Sequence, residues 1–267
     1  MTKLTVRPIN TGYVTTIPKE YLYHHSVTKY YPEVSDQRIE MPCFTFLIEG
    51  GEKLILVDTG MSWSERASEY HHLNSRQPEG MAIYEQLEKI GYHTEDVDIV
   101  IFTHLHWDHC YYANKFTNAD LYVHEIEYAT AINPIPLYYK SYEHPKLGIT
   151  RQFQGLDFIK VSGEVEIAKG VRVFETPGHS PGHMSVEVDT EKGCYICAGD
   201  SVFVPDNLKP VPEMHYNLTP PGRFYDIIKT WKSIELQQHK MQDASFILCC
   251  HDAELEEIIK KTPVLGI

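Results

Sequence analysis

The sequence is short of positive charge. Lysine and arginine together number 24 against 37 acidic residues, a formal net charge of −13. A nucleic-acid-binding surface shows a basic stripe, and none is present here. The long-range field also repels polyanionic substrates, unless a local basic pocket overrides it. Long apolar runs are missing too: nothing approaches the roughly 18 residues of a membrane-spanning helix. The N-terminal "MTKLTVRPINTGYVTTIPKEYLYHH" has neither the apolar stretch nor the cleavage site of a secretory leader, so the expectation is a cytoplasmic protein with no membrane partner. Low-complexity tracts, charge blocks and linkers are absent, and residues 1–267 read as a single domain.

Cysteine is sparse and irregularly spaced. Cys43, Cys110, Cys194, Cys197, Cys249 and Cys250 form no disulfide framework. The C-x-x-C of "GCYICAGD" lies in an apparent strand, where residues three apart face opposite ways. Reduced cysteines packed as small hydrophobes are expected.

What is present is ordinary globular material: 42% hydrophobic and 23% charged residues, enough for a sizeable core. "CFTFLIEG" and "KLILVDTG" read as strands. A helix is expected over 79–90, with Met81, Tyr84, Leu87 and Ile90 at near-helical spacing and Gly91 as its stop. "DIVIF" and "DLYVH" read as strands around a helical stretch at 109–115, followed by a helix over 125–132. Residues 133–157 have weak periodicity and many aromatics, as a functional loop does. "GVRVFETPG", "MSVEVDT" and "CYICAGD" are further strands. An amphipathic helix over 221–240 is expected to bury Phe224, Ile227, Ile228, Trp231 and Ile234. "SFILCC" is the last strand and "DAELEEIIKK" a closing helix.

The apolar runs share a property. "LILVDTG", "IVIFTHLHWDH", "CYICAGDS" and "SFILCCHD" each pass directly into Asp or His, and another His follows in the turn "TPGHSPGH". Strand ends are where layered α/β folds assemble their sites. Two strand sets with helices outside give an α/β fold of the four-layer αββα sandwich kind.

In "THLHWDHC", three histidines and an aspartate crowd into six positions, His104 to His109. Imidazole and carboxylate suit zinc, iron or manganese. In an extended chain His104 and His106 share a face, while Asp108 and His109 can face a neighbouring position. Four local ligands, with further ones elsewhere, point to two metals rather than one. Unpaired polar groups at a core edge are costly, which disfavours a purely structural role. Trp107 and Cys110 read as packing residues, His183 as a support for its turn, and the pairs His24–His25 and His71–His72 as surface residues.

"HLHWDH" resembles the H-x-H-x-D-H motif of the metallo-β-lactamase-fold superfamily. With "VDTG", "TPGHSPGHMSV", "AGDS" and "CCHD", the chain is most similar to the N-acyl homoserine lactone lactonase branch, over nearly its whole length. The resemblance implies one metal on His104, His106 and His179, a second on Asp108, His109 and His251, and Asp200 bridging both. It implies that Asp58 supports the ligand loop. The cofactors implied are two divalent ions, zinc first, with iron, manganese or cobalt as alternatives. The chemistry implied is hydrolysis of a small lactone by water activated between the ions, with Asp108 passing a proton to the leaving group and Asp200 holding the ions. Thioester, lactam and phosphodiester hydrolysis share the motif. A diiron redox protein of this fold carries glutamate where His106 stands, and a non-enzymatic relative is expected to have lost ligands.

One position departs from the lactonases. Where they carry a tyrosine, three residues after the bridging aspartate, this chain has Phe203. Tyr138, Tyr139, Tyr142 and Tyr216 are the candidate replacements for its hydroxyl. The aromatic segment 133–157 suits an acyl or aromatic small-molecule substrate and is compatible with a homodimer.

Overall fold

The computed structural model describes residues 3–241 and 246–267. Eleven strands among these residues form two sheets. The first has the order β1 (Thr5–Thr16), β2 (Ile39–Glu49), β3 (Ile55–Val57), β4 (Ile99–Ile101), β5 (Asp120–His124) and β6 (Ile159–Val161). Its first three strands are antiparallel, and β3 through β6 are parallel. The second sheet comprises β7 (Val165–Ala168), β8 (Val171–Glu175), β9 (Met184–Thr190), β10 (Gly193–Cys197) and β11 (Ile247–Leu248), of which only β10 and β11 pair in parallel.

Period-two alternation sorts the side chains into layers. Phe46, Ile48, Ile55, Val57, Ile99 and Ile101 point inward and meet Val173, Val186, Val188 and Cys197 of the second sheet in the inter-sheet core. Leu47, Leu56, Val100 and Leu121 point outward and are covered by α3 (Ile83–Lys89) and α4 (Glu125–Ile132). Phe174 and Ile196, on the outer face of the second sheet, are covered by α5 (Ile227–Lys240). Short helices α1 (Pro18–Tyr21) and α2 (Ser64–Tyr70) and the closing α6 (Ala253–Lys261) complete the αββα sandwich expected from the sequence. All six cysteines are free, and Cys194 and Cys197 enter different cores.

Three helical expectations need correction. The first helix is shorter than 79–90, because Met81 lies in the turn that precedes it. Residues 109–115 hold only a 3-10 turn, Ala113–Lys115. The backbone of His109 and Tyr111 is committed sideways: the His109 carbonyl accepts from Thr59 N–H, and Tyr111 N–H donates to Gly60. The 221–240 helix begins at Ile227, since the N–H groups of Gly222 and Arg223 donate to Tyr21, and those of Tyr225 and Asp226 to Gly178.

The buried face of α5 also differs from the one expected. Ile228 is 63% exposed, while Thr230, Ser233, Ile234 and Gln237 are buried. Ser233 donates to the Pro177 carbonyl at 2.7 Å, and Gln237 donates to Ser201 Oγ at 2.7 Å. The helix thus grips the loops after β8 and β10 with hydrogen bonds, a use of polar residues that apolar periodicity does not reveal. Segment 133–157 contains two 3-10 turns, Pro136–Tyr138 and Pro145–Leu147. Ser245, the first residue of the expected "SFILCC" strand, lies outside the described residues.

Candidate active site

Five strands end at one rim. Asp58 follows β3, residues 103–109 follow β4, His179 sits in the turn after β8, Asp200 follows β10 and His251 follows β11. All are 9% exposed or less.

Asp200 lies at the centre. Its Oδ2 is 3.3 Å from His179 Nε2 and 4.0 Å from His104 Nε2, while its Oδ1 is 3.2 Å from His109 Nε2 and 3.3 Å from His251 Nε2. His106 Nδ1 lies 2.9 Å from His179 Nε2. One donor set is therefore His104, His106 and His179, and another is Asp108, His109 and His251, with the ligand atoms of each set within 4.8 Å of one another. His104 Nε2, His109 Nε2 and Asp200 Oδ1 are buried without a hydrogen-bond partner. Orphaned buried donors and acceptors are costly, and cations are the partners that suit imidazole lone pairs and a shared carboxylate. The residues fit two divalent ions.

Hydrogen bonds behind the imidazoles fix their tautomers. The Pro42 carbonyl can only accept, so His251 Nδ1 donates to it at 2.8 Å, and in the neutral ring the lone pair is on Nε2, which faces Asp200. His109 Nδ1 donates to Asp58 Oδ2 at 2.8 Å with the same result. Asp58 also accepts from Thr103 N–H at 2.7 Å and from Thr103 Oγ1 at 2.8 Å. That hydroxyl then accepts from His104 Nδ1 at 3.0 Å. A single carboxylate sets one histidine directly and another through Thr103. Asp58 holds a left-handed φ of 62°, which aspartate tolerates better than most residues and which turns the chain sharply off β3.

Protonation follows from burial and charge. Burial, reinforced by neighbouring imidazoles, holds His104 and His106 well below the ordinary histidine value, and burial brings His179 down to about 4. For His109 and His251 burial also acts downward, but the Asp200 carboxylate outweighs it and raises both. Burial raises Asp200, yet His109, His251 and His179 hold it well below the usual carboxylate range.

Sequence reasoning missed Glu127, whose buried carboxylate ties three segments together. Oε1 accepts from Leu105 N–H at 3.1 Å and Tyr142 Oη at 2.9 Å, and Oε2 accepts from Ser180 Oγ at 2.7 Å and Gly182 N–H at 3.2 Å. The loop carrying His104 and His106 is thereby clamped to the loop carrying His179. Gly182 is required for this contact, because a Cβ there would strike the Glu127 backbone. Its position in "TPGHSPGH" was legible, but its partner on α4 was not. His183 stands behind the bridge, accepting from Asp200 N–H at 3.0 Å and facing Thr176 Oγ1 at 2.9 Å.

The tyrosine candidates resolve differently from expectation. Tyr142 is engaged by Glu127, and Tyr138 Oη donates to the Phe224 carbonyl at 3.3 Å. Tyr139 stacks on His144, and Tyr216 packs against Trp231. Phe203 is fully buried, with its ring centre 5.2 Å from that of His179 and 5.5 Å from that of Tyr21. The tyrosine that reaches the cavity is Tyr21, on α1, which no motif had marked.

A cavity of about 300 Å³ opens beside His106, Asp108 and Asp200. Its other walls include Tyr21, His71, His72, Lys140 and Arg223. His71 and His72 are therefore not surface residues. The His71 ring stacks on Trp107 at 4.1 Å and its Nε2 meets Glu143 at 3.0 Å, while His72 Nδ1 meets the Thr15 carbonyl at 2.8 Å. Segment 133–157 gives the cavity Leu137, Lys140 and Ser141, so its aromatic content does not make the lining apolar.

The model of the metallo-β-lactamase superfamily matches residues 38–247. An N-acyl homoserine lactonase of a Bacillus species is 28% identical over 235 residues, 84% of this chain and 87% of the relative. The N-acyl homoserine lactonase AiiB of Agrobacterium fabrum (strain C58 / ATCC 33970) is 25% identical over 255 residues, 88% and 89% of the two chains. An N-acyl homoserine lactone hydrolase holding N-hexanoyl-L-homoserine at its catalytic metal centre superposes with a TM-score of 0.77, at 24% identity, covering 97% of each chain. With the motif loops, the sandwich and the family model in agreement, the chain belongs to the metallo-β-lactamase superfamily.

Proposed function

We propose that the protein is a dinuclear metal-dependent hydrolase that opens a small lactone, of the N-acyl homoserine lactone type or a related cyclic ester. The observation that carries this reading is the division of Asp200, one oxygen toward His104 and His179 and the other toward His109 and His251. His104, His106 and His179 would hold one ion, Asp108, His109 and His251 the other, and Asp200 both. The nitrogen-rich donor set favours zinc, with iron, manganese or cobalt suiting the same ligands. Such ions supply Lewis acidity and lower the pKa of water toward neutrality. The curated relatives named as lactonases, matched over most of both chains, support the substrate class.

The chain's own residues do the rest. Asp108 and Asp200 line the cavity, and Asp108 takes up the proton released by the attacking water and passes it to the alkoxide oxygen as the ring C–O bond breaks. His106 and the Trp107 ring, held by His71, form the adjoining wall and limit the poses a ring can take. Purified protein is expected to contain two metal equivalents and to hydrolyse lactones in a panel that also offers thioesters and phosphodiesters. Asp108→Asn is expected to lower kcat by about 10²-fold or more. Fewer than one metal per chain, with no turnover restored by zinc, manganese or iron, contradicts the proposal.

A further inference from the structure

We infer that the part of the cavity wall formed by Arg223, with Lys140 and Tyr21, is a carboxylate-binding subsite, so that the lactone or ester opened here carries an anionic carboxylate group. The inference rests on the hydrolase reading and narrows its substrate.

Arg223 is the arginine without a conventional partner. Arg7, Arg66, Arg76 and Arg172 each pair with carboxylates, Arg151 donates to the carbonyls of Ala131 and Ile132, and Arg38 donates to that of Thr15. Among the described residues Arg223 forms no ion pair, although the protein carries 37 acidic residues. It is half-buried, lines the cavity with Asp108 and Asp200, and lies with its guanidinium carbon 5.5 Å from the Tyr138 ring centre. The position is built. Arg223 N–H donates to the Tyr21 carbonyl at 3.1 Å, and Gly222 N–H donates to the same oxygen at 3.0 Å, locking this segment to α1. Its side chain shares the cavity lining with those of Tyr21, His106 and Asp108, so it borders the space a substrate would enter.

Leaving a guanidinium partly desolvated and unpaired costs free energy that a bound anion recovers. Its planar fork matches a carboxylate in bidentate fashion, better than a neutral acyl chain or amide. Lys140, exposed at the mouth with Nζ 3.4 Å from the His71 carbonyl, adds a second positive charge, and Tyr21 adds a hydroxyl donor. Trp107 and Leu137 are the large apolar side chains of the lining, too few for a long acyl tail. Asp108 and Asp200 of the same lining would be engaged by the metal ions, which leaves Arg223 and Lys140 to attract an anion on a protein whose net charge of −13 repels it elsewhere.

The test separates this subsite from the hydrolytic reading. Binding of succinate, glutarate and adipate to the metal-loaded protein is compared by calorimetry with butyrate, valerate and hexanoate, which offer one carboxylate only. At least one diacid is expected to bind about tenfold or more tighter than its monoacid, an advantage that Arg223→Gln abolishes, Arg223→Lys preserves in part, and Lys140→Gln reduces. Metal content, measured for each variant, controls for misfolding. In turnover, the kcat/KM ratio of a ring-carboxylated butyrolactone to butyrolactone itself is expected to fall about tenfold in Arg223→Gln. A wild-type protein that binds diacids no better than monoacids, or an advantage that survives Arg223→Gln, overturns the subsite. Diacid selectivity with no lactone turnover refutes the lactonase reading while leaving the subsite standing.

Discussion

Replacing Asp58 by asparagine tests how the metal-binding histidines are set. Asparagine tolerates the left-handed φ of 62°, so the substitution leaves the backbone turn intact where alanine would add strain of about 1–2 kcal/mol. The amide offers one acceptor oxygen where the carboxylate offers two. Thr103 N–H is a fixed donor 2.7 Å away, so the oxygen is drawn there and the NH₂ turns toward His109 Nδ1 and Thr103 Oγ1. His109 then accepts at Nδ1 and carries its proton on Nε2, the atom 3.2 Å from Asp200 Oδ1. Its lone pair for metal is lost. Thr103, no longer donating to a carboxylate, can turn its proton to His104 Nδ1 and disturb the other set by the same logic. Supporting hydrogen bonds of this kind are worth about 10- to 100-fold in metal affinity. That is about 1.4–2.7 kcal/mol at 1.36 kcal/mol per decade. Competition with a chromophoric chelator should show the ion on His109 weakened at least tenfold and the ion on His104 weakened less. Both affinities unchanged within twofold would mean that Asp58 does not select the tautomers.

Glu127→Gln places an NH₂ against donors that now share a carboxylate, leaving at least one buried group unpaired. Unfolding monitored in denaturant is expected to show a loss of about 1–3 kcal/mol, and a variant as stable as wild type removes Glu127 from its bracing role. Metal-free protein is expected to lose stability as pH falls from 6.5 toward 4. Over that window the unfolded chain takes up protons that buried His104, His106, His179 and His183 refuse, and His179 alone contributes about 3 kcal/mol for its shift from 6.5 to about 4. His109 and His251, raised in the folded state, act oppositely: their stabilisation is complete below 6.5 and is lost as pH rises through their folded values. A urea midpoint that stays level from pH 7 to 4.5 in chelator contradicts this account.

The layered fold and the converging strand ends were legible because they depend on local pattern: apolar runs, then Asp or His. Strand β1, "TVRPINTGYVTT", escaped notice because its apolar residues are interrupted by polar ones that the fold buries, among them Asn10, Thr11 and Thr15. The supports of the site were less legible than its candidate ligands. Glu127 sits in an ordinary-looking helix, Tyr21 and Arg223 lie 202 residues apart, and His71 with His72 looks like a solvated pair until Trp107 and Tyr21 close over it. Each owes its place to a contact between distant segments, and neither periodicity nor spacing carries that information. The α5 face failed for the same reason, since Ser233 and Gln237 are buried by what they bond rather than by their hydrophobicity.

His104, His106, Asp108 and His109 hang from the first sheet, while His179, Asp200 and His251 hang from the second. Neither sheet holds either donor set complete. Any ion bound at this rim is therefore a rivet through both leaves of the sandwich at their open end, and removing it frees the leaves to part where the cavity lies. Chelation should loosen the rim loops before it loosens the strands, making them the first segments to exchange amide hydrogens and the first to be cut by protease.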